Sequence, residues 1–484
     1  MHLAMNIFER GFAPDRRAIL RGAALGCAWA TLPLRAQAPA RSRGVPIEMF
    51  GGDARPGIDN GNALRRAFAD AARDGASVIL GPGRYEFSSV DLLRRGAIGR
   101  PAGVALIGSG ADRTEVRITG RSVINHLFRA DNVSGVLTSG IRFVGNGVKD
   151  ETAPYAGALM AATLTADAPG DMSDVLLEGC EIDNFASATW LLFSNRSGRR
   201  VIRRVGSRDC RWISRPQTAP QAGSITVPGH FVYFDGGGGA IEDIIVDDEL
   251  MDAANVKGGV AAIGDVNRGT IHVGVLRDAG RALSSVPAGP DGPGAYAILL
   301  YQKPKGVPRN LAISVDRLEN ADSVGVYAVG AQGCRIHIGY ASGQRDTRDA
   351  TLFKGVLAIL GGSAIDATID TVEDCNRVAM ISLDGGQNLG RRAEAMNISI
   401  HLGSVRSRRG ARDITIDAGG SPRAGGVRIS GTRDGPAAVG VHLRTGPGVV
   451  LQDIDLSGLR NGGSDHPLWI GPGNVDMRRI SLPN

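Results

Sequence analysis

His230-Phe-Val-Tyr-Phe-Asp-Gly-Gly237 is the clearest of six short apolar runs that each end in a turn. The others are Gly259-Val-Ala-Ala-Ile-Gly264, Ala297-Ile-Leu-Leu-Tyr301, Val324-Gly-Val-Tyr-Ala-Val-Gly330, Gly355-Val-Leu-Ala-Ile-Leu-Gly-Gly362 and Val378-Ala-Met-Ile-Ser-Leu-Asp-Gly-Gly386. A partner run follows each one: Ile241 to Val246, Thr270 to Val275, Leu311 to Val315, Arg335 to Ile338, Ala367 to Val372 and Asn397 to His401. A two-to-three-strand unit recurring every roughly twenty to thirty residues predicts a solenoid whose coils stack around one shared core. Glycine is abundant, 69 of 484 residues, while aromatics make up 5%. That balance suits many short strands joined by tight turns, and helical periodicity is scarce. The chain therefore reads as all-β, from about Ser122 to Leu456 and beyond.

Residues 1–38 read as an export signal. Arg16-Arg17-Ala-Ile-Leu-Arg-Gly is a twin-arginine pattern, Ala23 to Leu34 is a short apolar stretch, and Ala36-Gln-Ala38 offers a small-residue cleavage site. The apolar stretch is well below the roughly twenty residues a membrane span needs. The expected partner is the twin-arginine (Tat) export machinery, and the expected location is periplasmic or secreted. Five arginines against Glu9 and Asp15 give this segment +3 of the total +6, leaving +3 for the rest. So mild a basic excess argues against a nucleic-acid partner and is compatible with an acidic polymer.

Residues 39–90 differ from the repeats and predict an N-terminal cap. Pro46-Ile-Glu-Met-Phe-Gly-Gly-Asp reads as a strand and turn. Asn60 or Asn62 caps a helix from about Ala63 to Arg73, with Leu64, Ala67, Phe68 and Ala71 on one face. Ala76 to Phe87 then gives a strand, a Gly-Pro-Gly turn and a second strand. A helix at this point covers the open end of the solenoid, which residues 91–484 form.

Phe50-Gly-Gly-Asp, Ile58-Asp-Asn, the helix and Val78-Ile-Leu-Gly-Pro-Gly-Arg-Tyr together resemble the N-terminal signature of the pectate-lyase-like superfamily. The match departs from that pattern at Gly81, where proline is usual. The resemblance implies a right-handed, single-stranded parallel β-helix acting on polysaccharides, with lyases, hydrolases, epimerases and phage tailspikes all among its members. His230-Phe-Val-Tyr, followed one coil later by Ala253-Ala-Asn-Val-Lys257, resembles a recurrent passage in such proteins.

Tyr233 and Lys257 are 24 residues apart and His230 and Lys257 are 27 apart, about one coil, so Lys257 is expected about 4.8 Å from their row. On a straight strand His230 and Tyr233 point to opposite faces, so a bend, or His230 preceding the strand proper, is required to bring them together. The trio suits β-elimination of a uronate polysaccharide. His230 serves as base, Tyr233 as acid or second base, and Lys257 neutralises the carboxylate; a lysine base is the variant. Asp235, with Asp247 or Asp248, offers paired carboxylates for a glycoside hydrolase, although a turn role suits all three. The polygalacturonase motifs Asn-Thr-Asp, Gly-His-Gly and Arg-Ile-Lys are absent. Tyr301, Lys303 and Lys305, in Tyr301-Gln-Lys-Pro-Lys305, are candidate substrate ligands together with Asp247. A non-catalytic polysaccharide-binding β-helix is the third reading.

Four longer stretches interrupt the repeats: Ile213 to Gly229, Arg281 to Gly294, Ser342 to Lys354 and Asp384 to Met396. Loops of this length in a solenoid are expected to wall a groove. The arginine run from Arg196 to Arg211 reads as a solvated face. Cys180 and Cys210, 30 apart, are expected to stack unbridged on adjacent coils. No CxxC or His-rich spacing suggests a metal, and no cofactor is expected.

Overall fold

Parallel pairing governs the chain: in the computed structural model, every ladder of paired strands among the described residues is parallel, and each strand bonds to its counterpart one coil away. The structure describes residues 44–87, 104–119, 126–147, 158–185, 189–215, 229–281, 295–345, 354–383, 396–408, 411–417 and most of 423–481. The export-signal reading lies outside them, and so do most residues of the four long interruptions. Among the described residues, no helix is long and apolar enough to cross a membrane.

Each coil visits three sheets in turn. The first sheet climbs from His126–Asp131 through residues 230–236 and 258–264 to His466–Ile470. The second begins at Gly44–Pro46 and Ser77–Ile79 and passes through residues 241–248. The third begins at Gly83–Phe87 and passes through residues 250–252. This is the all-β parallel β-helix that the repeat predicts. One difference is continuity. His230–Asp252 and Gly258–Arg277 run unbroken around the corners, where the sequence suggested separate strands, and a register shift between Gly236 and Ile241 absorbs the first bend.

Corner chemistry recurs because each corner sits above the last. The turn leaving the third sheet uses Asn184, Asp278, Asn320, Gly343 and Asp374, all with left-handed φ. These are the residue types that tolerate that region at least cost. A second left-handed column at the start of the second sheet carries opposite charges on adjacent coils. Arg204 Nε lies 2.6 Å from Asp174 and Arg268 Nε 2.9 Å from Asp243.

Apolar side chains point inward and stack along the axis. Phe193 and Phe234 lie 5.3 Å apart at 11°, and Trp212 stacks on Phe231 at 5.8 Å. Burying each such side chain contributes roughly 1.5–3 kcal/mol. Cys180 and Cys210 occupy matching corner positions, and their thiols are free and point at backbone carbonyls.

Within the described part of residues 39–90 there is one α-helix. A helix over Gly61–Asp74 buries Leu64, Ala67, Phe68 and Ala71 and ends at Gly75, φ 64°. Asn60 stands at its N-cap, but the side chain makes no cap bond. It is buried and instead accepts from Asp53 N at 2.7 Å and donates to Asp53 O and Ile58 O, so it ties the preceding loop.

Asp248 corrects the sequence reading. It is neither a solvated turn nor a groove carboxylate but is buried behind the second and third sheets. It accepts from Ser207 Oγ at 2.6 Å, Trp212 Nε1 at 2.8 Å and Cys210 N at 3.1 Å. Burial pushes its carboxyl up to about 7, against those three donors. The folded state therefore holds the proton more tightly than the unfolded chain does, and stability falls as pH rises from about 4 to about 7. Asp248→Ala strands three buried donors and should cost roughly 3–5 kcal/mol. Asp248→Asn should lose that pH dependence. Denaturant melts across pH check both.

Candidate functional site

The site begins with a break in strand alternation. Phe231 and Val232 are both fully buried in the core, so two consecutive side chains point inward. His230 and Tyr233 consequently share the outer side of the first sheet, with ring centroids 6.3 Å apart. Lys257 joins them from the next coil: its backbone N–H donates to Gly229 O at 2.9 Å, directly before the His230–Gly258 pair.

His230 is 4% exposed and, among the described residues, its buried Nε2 has no hydrogen-bond partner, while the ring is hydrogen-bonded to the Tyr296 backbone. Burial, followed by the Lys257 charge, pushes its pKa down to about 3. The imidazole is therefore neutral at physiological pH, and its Nε2, though buried, carries a lone pair or N–H that no described residue engages. A negative group brought to Lys257 cancels the second of those two effects and makes the ring more basic.

Tyrosines continue the surface along the axis. Tyr296 and Tyr301 lie on the next strand, Tyr296–Tyr301, and Tyr327 on the one after, with Tyr296 and Tyr327 rings 4.9 Å apart. Together with Leu299, Val324 and Met380 they form an apolar cluster separate from the core. Burial pushes Tyr296 up to about 12 and raises Tyr327 as well, so these phenols stay protonated. Sequence reasoning picked out Tyr301 and missed Tyr296 and Tyr327, which only strand register reveals.

Asp235 faces the same side two residues beyond Tyr233. Its Oδ1 accepts from Lys303 Nζ at 2.8 Å and from Gly237 N at 3.1 Å. Lys303 and Gly306 close a tight turn through paired backbone bonds, which leaves Lys305 exposed at the tip. The structure thus brings His230, Tyr233, Lys257, Asp235, Tyr301 and Lys303 to one side. Asp247 does not join them. It stands on the second sheet, where its Oδ1 lies 2.7 Å from His272 Nδ1. Arg203, Arg204 and Arg211, from the arginine run, likewise pair with acids on the second and third sheets. Among the described residues, no group of three or more His, Cys, Asp or Glu is placed to hold a metal ion.

A separate concavity of about 760 Å³ lies on the third sheet, lined by Arg84, Glu115, Arg142, Glu181 and Arg211 among others. Charge alternates there from coil to coil, with Arg142 Nε 3.0 Å from Glu181 and Arg84 Nε 3.7 Å from Glu115. Such mutual neutralisation makes it a structural ladder, and the imidazole, whose Nε2 no described residue engages, keeps the first sheet as the candidate site.

No family model and no curated protein matches the chain. Several solved structures are distantly alike in shape. The Azotobacter vinelandii mannuronan C-5 epimerase AlgE4 A-module is 14% identical, with 89% of this chain and 99% of that one covered at a TM-score of 0.40. The Streptococcus pneumoniae surface protein and adhesin PfbA is 11% identical over 91% and 100%, TM-score 0.42. The catalytic unit of a GH87 α-1,3-glucanase from Streptomyces thermodiastaticus is 12% identical over 88% and 70%, TM-score 0.35. Likenesses this weak carry no argument, and the fold rests on the strand pairing above.

Lys257→Met should raise the His230 pKa towards the usual value near 6.5, read by NMR titration with His230→Asn for assignment. An unchanged titration would remove Lys257 from the imidazole's surroundings.

Proposed function

We propose that this protein cleaves an acidic, uronate-containing polysaccharide by β-elimination on the outer side of the first sheet. The observation that carries the reading is the buried, neutral His230, whose Nε2 no described residue engages, flanked by the Lys257 charge and the Tyr233 ring. Elimination needs a base that is unprotonated before substrate arrives and becomes stronger once it is bound. A uronate carboxylate beside Lys257 meets that need, because it offsets the cation that depresses His230.

In the step proposed, His230 Nε2 takes the C5 proton and the C–H electrons stay at C5, where the carboxylate shares them. They form the C4–C5 double bond as the C4–O4 bond breaks, and Tyr233 gives its phenolic proton to the departing oxygen. Lys257 neutralises the carboxylate while negative charge builds at C5. Proton return from the imidazolium to the phenolate, directly or through solvent, restores both groups. Hydrolysis is less well supported. Asp235 is held by Lys303 and Gly237, and Asp247 and Asp248 belong to the second sheet. Binding without turnover remains the second reading, favoured by the tyrosine cluster.

Incubation with uronate polymers should yield an ultraviolet-absorbing unsaturated uronate. New reducing ends without that absorbance would indicate hydrolysis, and retention with neither would indicate binding alone. His230→Ala should abolish turnover and leave the thermal melt nearly unchanged; activity within a few-fold of wild type would reject the base assignment. Lys257→Ala should impair carboxylated substrates far more than their methyl esters.

A further inference from the structure

The outer side of the first sheet does not end at the tyrosines. The row containing Tyr233 continues through Ala261, Leu299, Tyr327, Ala358, Met380 and Thr415 to His442 and Trp469. His442 is seven strand spacings from Tyr233, about 34 Å along the axis. Three guanidinium groups gather there. Arg412 lies over the Trp469 ring at 5.8 Å, Arg377 Nη1 reaches Thr415 Oγ1 at 3.4 Å, and Arg444 Nε is 3.6 Å from Asp417. His442 sits among them, mostly buried, with its ring 5.4 Å from Trp469. Burial and then Arg412, Arg444 and Arg377 lower its pKa, with Asp417 opposing. Trp469 is 45% exposed, whereas Trp190 and Trp212 are fully buried.

This arrangement differs from the third-sheet ladder in its ratio of arginines to carboxylates, although Arg444 itself pairs with Asp417. On the third sheet, arginines and carboxylates alternate one for one; here three arginines and the Asp417 carboxylate surround the imidazole beside a half-exposed indole. Arginine forks suit planar oxyanions, and an exposed indole next to them offers an apolar face for a sugar ring.

We propose that Arg377, Arg412 and Arg444, with Trp469, form a second, distal subsite that holds an oxyanion group of the same polysaccharide chain whose reacting unit lies at His230. The inference rests on the elimination reading for the identity of the ligand, and its geometry stands on this cluster alone. It makes the substrate a long polyanion, because a short oligosaccharide cannot reach both places.

Polygalacturonate binding to the His230→Ala protein, followed by fluorescence titration and by calorimetry, tests this without interference from turnover. Arg412→Gln/Arg444→Gln should weaken polymer binding about tenfold, roughly 1.4 kcal/mol, and leave a galacturonate trisaccharide unaffected. Trp469→Ala, at an exposed position, should weaken the polymer likewise. Polymer binding unchanged in both variants, or no polyanion binding by the parent, would overturn the subsite. Loss of polymer binding in a protein that eliminates no uronate polymer would keep the subsite and reject the elimination reading. Elimination with an unaltered polymer KM in both variants would do the reverse.

Discussion

In-register hydrogen bonding between successive coils is the constraint on which the rest of the molecule depends. Because the bonds run along the axis, residue n of one coil lies about 4.8 Å from its equivalent in the next. Apolar residues then form continuous inward stacks such as Phe193 on Phe234, and corner residues fall into columns of Asn, Asp and Gly. The same register carries Lys257 to the side of His230 and lines Tyr296 and Tyr327 beyond Tyr233. A shift of one residue in either coil would turn these side chains into the core.

Electrostatic use of the three sheets is unequal. The third sheet alternates Arg84, Glu115, Arg142, Glu181 and Arg211 along one row, so charges that would repel if stacked alike attract instead. On the second sheet, His272 lies between Asp247 and Asp316, whose carboxylates push its pKa up to about 9. The first sheet sets a cation, Lys257, against a buried imidazole. Burial, reinforced by that cation, keeps His230 neutral, and the cation ties its basicity to whatever anion occupies the site.

Much of the architecture was legible in the sequence, since apolar runs ending in Gly, Asn or Asp at coil-length spacing specify stacked strands. The cap helix was equally plain from Leu64, Ala67, Phe68 and Ala71. The site was legible only in part. Spacing placed Lys257 near the His230 row, but nothing in the sequence showed that Phe231 and Val232 both point inward, which is what unites His230 with Tyr233. Asp248 looked like a turn residue because its three donors come from Ser207, Cys210 and Trp212, nearly forty residues earlier. Asn60 looked like a helix cap, but tertiary contacts with Asp53 take its side chain. The Arg377, Arg412 and Arg444 gathering was hidden for the same reason: three successive coils, more than thirty residues apart in sequence, contribute to it.

The most direct test of the account is the protonation state of His230 with and without a bound, uncleavable uronate oligosaccharide, followed by nitrogen NMR across pH. A base tuned in this way stays neutral down to about pH 3 when free and titrates at distinctly higher pH once a carboxylate sits beside Lys257. A titration that does not move on binding, or a free His230 already protonated near neutral pH, would contradict it.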